Sequence, residues 1–149
     1  MPVALFGAAA ARYRTPAVDL ARIFSPDTLG DPTTRGVARR AYHNAAVFAS
    51  RAGDPRRAAE LEERGLLVED DRLYRIAAAR YRLAAGDDRL ALGHLDRAPA
   101  TAAALALRGV IAARAGLCAE AAELFDRALA LDPGEPDAVA NKAKLGTCK

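Results

Sequence analysis

Apolar and small residues recur along this chain with helical spacing, and three glycines interrupt the pattern at a near-constant interval. Gly53, Gly86 and Gly116 each close an alanine-rich stretch, and Ala58, Ala91 and Ala121 follow them five residues on. The glycine spacings are 33 and 30 residues. A self-similar period in this range predicts stacked helical hairpins, because one such unit cannot bury its apolar face alone. Proteins built this way usually work as binding surfaces.

The local signals divide the chain further. Leu5 to Tyr13 has the pattern of one short helix. Thr15 and Pro16 read as a cap followed by proline at the first helical position. Ala17, Leu20, Ala21 and Phe24 then lie on one apolar face. Turn signals at 25–27 and 30–32 end this unit. Residues 1–31 are therefore expected as an N-terminal helical extension and residues 32–149 as the repeat domain.

The first hairpin is expected to start near Pro32, with Asp31 as cap, and to run towards Ala52. Asp54 and Pro55 open its second helix. The next pair runs from about Asp70 to Ala85, then through Ala91 and Leu95 to Ala98, where Pro99 ends it. The third pair runs from about Thr101 to Ala115 and from Cys118 to Leu131. After a turn at 132–134, Pro136 opens a last, capping helix towards Leu145, with Gly146 as its stop.

Composition supports the helical reading. Of the residues, 52% are hydrophobic, chiefly alanine and leucine, both strong helix formers. No β-branched run of strand length stands out, so the class is all-α. In residues 1–40, six arginines against three aspartates leave +3, while the remaining chain is balanced. That charge is too small and too dispersed to argue for nucleic acid. No apolar run reaches the ~18–20 residues of a membrane span. Arg12 and Arg14 follow the apolar opening rather than precede it, the wrong order for a secretory signal.

The third hairpin resembles the tetratricopeptide repeat. Leu105, Gly109, Ala112, Gly116, Ala121, Phe125, Ala128 and Pro133 carry the resemblance, and Arg108 departs from it at a usually apolar position. Thirty residues earlier, Ala79, Gly86, Ala91, Leu95 and Ala98 fit, whereas Arg75 and Arg82 do not. A further 33 residues back, Ala46, Ala49, Gly53, Ala58 and Gly65 fit, with Tyr42 at a large-aromatic position. Glu62 is the mismatch there. The resemblance covers about residues 39–149, as three degenerate repeats plus the capping helix. It implies an α-solenoid of antiparallel hairpins, with Leu95 and Phe125 filling the space between hairpins. The other reading is an irregular alanine-rich bundle.

The resemblance further implies that the first helix of each hairpin lines a concave groove. Carried over by register, that groove holds Arg40, His43, Val47, Ser50 and Arg51 in the first repeat. The second contributes Leu73, Ile76, Arg80 and Leu83. The third contributes Ala103, Ala106, Val110, Ala113 and Arg114. An apolar floor with arginines suits a protein or peptide partner with apolar anchors and an acidic group. Family members that clamp a chaperone's terminal carboxylates use Lys and Asn at set inner positions. Here those positions hold His43, Val47, Ala77, Ala103 and Leu107, so that clamp is absent.

Catalytic constellations are not assembled. His43 and His94 stand in different repeats, without ligands at metal spacing. Residues 69–71 and 87–88 are acidic helix starts, which the helix dipole favours. No nucleophile triad, phosphate loop or dinucleotide fingerprint is found. The expectation is a non-catalytic adaptor with no metal, cofactor or small-molecule substrate. The alternative is a self-assembling scaffold, a homo-oligomer in which the N-terminal helices dock into a groove of their own or a neighbouring chain.

Cys118 and Cys148 are each 15 residues from Pro133. Antiparallel helices joined at that turn bring such residues side by side, so the two are placed for a disulfide. The alternative is two unrelated thiols. A disulfide favours a periplasmic or other extracytoplasmic location; without it, the expected location is cytoplasmic.

Overall fold

The computed structural model describes residues 20–149. The expected helix over Leu5–Tyr13 and the Thr15–Pro16 helix start lie outside the described residues. The chain divides into two compact units between Tyr74 and Arg75.

In the first unit, α1 (Leu20–Ile23) and a 3-10 turn at Thr28–Gly30 pack on α2 (Pro32–Arg51). The start of α2 follows its sequence signals. The Asp31 carboxylate accepts from the Thr34 amide at 2.8 Å and the Thr34 hydroxyl at 3.0 Å, and Pro32 needs no amide partner. Asp54 caps α3 (Pro55–Val68) in the same way, accepting from the Arg57 amide at 3.0 Å. Ala38, Ala46, Ala58 and Ala59 have no exposed surface, so small residues set the approach of α2 to α3.

Helix α4 (Tyr74–Ala84) begins later than the expected Asp70. Asp71 explains the delay: its carboxylate accepts from the Leu73 amide at 2.9 Å, while its own amide bonds to the Glu69 carbonyl. Such side-chain turns compete with helix.

The second unit continues with α5 (Asp88–Leu95), α6 (Ala102–Arg114), α7 (Cys118–Leu131) and α8 (Pro136–Lys142). Helix α5 stops at Leu95 rather than Ala98, because residues 96–98 turn back through bonds from Arg97 to the His94 carbonyl and from Ala98 to the Leu95 carbonyl. Helix α8 stops at Lys142, and Leu145–Thr147 forms a 3-10 turn that includes the expected stop, Gly146.

Two clusters form the core of this unit. Ala79, Leu83, Ala91, Leu95, Ala104 and Leu107 join α4, α5 and α6. Leu105, Ala106, Ala112, Ala121, Phe125, Ala128 and Ala138 join α6, α7 and α8. Leu95 and Phe125, the expected fillers, are 2% and 0% exposed. Phe125 lies against the bare backbone of Gly109, where an added Cβ would sit 2.5 Å from its ring. The hairpin breaks at Gly53, Gly86 and Gly116 have φ of 80°, 84° and 77°, a region that favours glycine. Among the described residues there is no strand, and no helix is long and apolar enough to cross a membrane.

Candidate functional site

The second unit carries an open cavity of about 470 Å³. Helix α6 contributes Val110, Ala113 and Arg114, and α8 contributes Asn141. The remaining wall is Lys144, Leu145, Thr147, Cys148 and Lys149, all beyond the end of α8.

Local chemistry explains how this wall is placed. The turn before α8 is closed by the Asp132 side chain, which accepts from the Gly134 amide at 2.9 Å. Glu135, only 6% exposed, accepts from the Asp137 amide and caps α8, with Pro136 at its first position. Lys142 pairs with Asp126, tying α8 to α7. Asn141 donates to the Asp137 carbonyl at 2.7 Å, which fixes the side-chain amide. Leu145 packs on the core beside Val110 and Ala113. Cys148 is joined to Cys118, the first residue of α7, with the two Cα atoms 5.8 Å apart.

The lining side chains include the cations of Arg114, Lys144 and Lys149 and none of Asp or Glu. Arg114 is held in place by donating to the Leu83 carbonyl at 3.1 Å and to Asp88 at 2.7 Å. Val110, Ala113 and Leu145 supply an apolar surface beside these cations. The arrangement can receive an anionic group together with an aliphatic side chain; it holds no nucleophile and base in contact.

The groove residues expected from sequence have several fates. Val110 and Arg114 line this cavity. Arg80 is exposed on α4 and lies 2.8 Å from the Asp137 carboxylate on α8. Ile76 packs partly buried against the α4–α5–α6 core. Leu83 must be withdrawn as a groove residue, since it is 5% exposed and sits inside that core. Helix α4 shares that core with residues of α5 and α6.

On the first unit, Arg40 and Arg51 are exposed and Val47 is half-buried on α2, and Leu73 is exposed in the turn before α4. The Nδ1 of His43 lies 2.9 Å from the buried Glu62 carboxylate, and its ring is 4.9 Å from that of Tyr74.

Sequence reasoning missed Asn141, Lys144, Leu145, Thr147 and Lys149 as lining. One signal was available: Lys142, Lys144 and Lys149 are the chain's only lysines, and all fall in its last eight residues. Among the described residues, no group of His, Cys, Asp and Glu converges as a metal site.

No family model and no curated protein sequence matches this chain. Among solved structures, it is similar to the NMR structure of the second TPR domain of the human RPAP3 protein, determined in complex with the HSP70 peptide SGPTIEEVD. The identity is 22% and the TM-score 0.64, over 78% of this chain and 98% of that one. The helix–turn–helix units with their glycine breaks, buried alanines and Phe125 anchor therefore make up an all-α, tetratricopeptide-like fold.

Proposed function

We propose that this chain is a non-catalytic adaptor that holds a segment of a partner protein. The observation that carries the reading is the open cavity on the second unit, where Lys144 and Lys149 stand beside Val110, Ala113 and Leu145, with Arg114 already paired to Asp88. A preformed recess with an apolar floor and few charged groups is the usual form of a peptide-recognition site. The partner segment is expected to be acidic, with at least one aliphatic anchor. The step from fold to binding is by analogy with the similar domain, whose structure holds a peptide. Exposed Arg40 and Arg51 on the first unit form a separate candidate contact.

A displayed library of random peptides, selected against the disulfide-bonded protein, tests this. Enriched peptides should be acidic and should lose binding to a Val110→Asp variant whose helical circular dichroism is unchanged. Failure to enrich any peptide, or enrichment of peptides indifferent to the substitution, overturns the reading.

A further inference from the structure

We propose that the cavity on the second unit is a peptide-carboxylate site whose outer wall depends on the Cys118–Cys148 disulfide, so that a dithiol reductant turns the site off. This deepens the adaptor reading and rests on it. Five of the nine lining residues, Lys144, Leu145, Thr147, Cys148 and Lys149, come after the last α-helix. Their only regular structure is the three-residue 3-10 turn at Leu145–Thr147. A turn of that length has little stability of its own.

Two ties hold this wall. Leu145 reaches the core, and Cys148 is bonded to Cys118 across the mouth of the hairpin. Leu145 alone anchors one point. It leaves residues 146–149 attached only through the backbone. Lys149 is one residue beyond the bridge and follows it directly.

The cations show what the wall is for. Without Lys144 and Lys149 the cavity keeps Arg114, whose guanidinium is already engaged by Asp88 and the Leu83 carbonyl. The charge available to a ligand therefore sits on the tethered segment. A carboxylate entering there is met by charge-assisted hydrogen bonds, while its neighbouring aliphatic side chain covers Val110, Ala113 and Leu145.

The switching step is ordinary thiol–disulfide exchange. One thiolate of the dithiol attacks a cysteine sulfur, the Cys118–Cys148 bond breaks, and a mixed disulfide forms. The second thiolate closes the reductant into its own disulfide. Two electrons and two protons have then passed to the protein, which holds two thiols. The segment beyond α8 is released, and Lys144 and Lys149 leave the cavity.

The test is a titration of isotopically labelled, disulfide-bonded protein with the N-acetylated peptide Leu-Glu-Leu-Glu, followed by amide NMR shifts. Saturable shifts are expected at Ala113, Asn141, Lys144, Thr147 and Lys149, and their absence with a C-terminally amidated Leu-Gln-Leu-Gln control. A dithiol, or the double change Cys118→Ser with Cys148→Ser, should remove them while the α6 and α7 amides keep their positions. Lys144→Glu with Lys149→Glu leaves the bridge intact and should weaken binding roughly tenfold or more. That variant decides the carboxylate claim even if the cysteine variant misfolds, and the dithiol titration then decides the redox claim.

Equal binding by bonded and reduced protein overturns the disulfide dependence. Binding unaffected by the lysine reversals, or no saturable shift in the cavity, overturns the carboxylate site. A peptide enriched from the library that binds elsewhere would sink this inference and leave the adaptor reading standing.

Discussion

Arg39 and Glu62, 23 residues apart, form an ion pair inside the first hairpin. Glu62 is fully buried and Arg39 is 2% exposed. The guanidinium carbon lies 3.8 Å from the centre of the Tyr74 ring, and Gly65 leaves the space that the guanidinium occupies. The second Glu62 oxygen faces His43. Nε and Nη1 of Arg39 lack hydrogen-bond partners, so this buried charge depends on Glu62.

Removing one member of such a pair strands the other, whereas replacing both with apolar groups need not cost stability. Glu62→Leu alone is expected to destabilise the protein by ~3–5 kcal/mol. Arg39→Met combined with Glu62→Leu should recover most of that loss. Urea unfolding of the four proteins in the cycle measures it. A double variant as unstable as Glu62→Leu would show that the pair does more than satisfy its own charges.

The Phe125 ring rests on Gly109, and each residue makes the other necessary. Phe125→Ala should cost ~3–5 kcal/mol, the range for emptying a packed aromatic site. Gly109→Ala should cost ~1–3 kcal/mol by overpacking, although alanine is the better helix former. Thermal denaturation checks both. A stabilising Gly109→Ala would mean that α6 and α7 can separate freely.

These two sites show why the sequence was legible in one respect and opaque in another. The glycine–alanine period reports local requirements: a positive φ at Gly116, a small residue at Ala121, an aromatic at Phe125. Each can be read at its own position. The apparent mismatches are different, because their partners lie on other helices or across a turn. Arg75 is buried with Nη1 3.4 Å from His94, Arg82 donates to Asp87 at 3.2 Å, and Arg108 donates to Asp96 at 2.7 Å. A rule that asks for an apolar residue cannot see a polar pair. The candidate site divides likewise. Val110 and Arg114 follow from helical register on α6, whereas Lys144 and Lys149 lie in a segment with no period to read.

Asp31 gives a pH dependence with a definite sign. The Thr34 amide and hydroxyl, followed by the charge of Arg35, hold its carboxyl below the usual 3.8. A depressed folded-state value means that the cap stabilises the protein above the unfolded-state value. That contribution is lost as the pH falls through the folded-state value. Asp31→Asn keeps a capping oxygen but does not titrate. The stability difference between wild type and Asp31→Asn should be flat above about pH 5 and shrink below it. A difference that stays constant down to acid unfolding would contradict the cap.

Arg80 and Asp137 are both partly exposed, so their pairing is screened by solvent. Arg80→Glu should therefore change stability by no more than ~1 kcal/mol. Paired with Asp137→Arg, it should restore the salt dependence of the wild-type melt. A loss well beyond that bound would place this contact among the structural ties of α8.

The Cys118–Cys148 bridge closes a ring with a sequence separation of 30 residues. Loop-closure entropy gives ~3–4 kcal/mol for a ring of that size, acting through the unfolded chain. Reduction should lower the melting temperature accordingly, and purified unreduced protein should show no titratable thiol. The loosening should also be local. Residues 143–149 are expected to gain amide exchange first, then α8, while Phe125 and its neighbours on α7 stay protected up to global unfolding. Helix α8 keeps Ala138 in the core and its link to Asp126, which slows its release. Exchange that rises evenly across the second unit would instead mean that the bridge acts on the whole unit, leaving no distinct tail for it to staple.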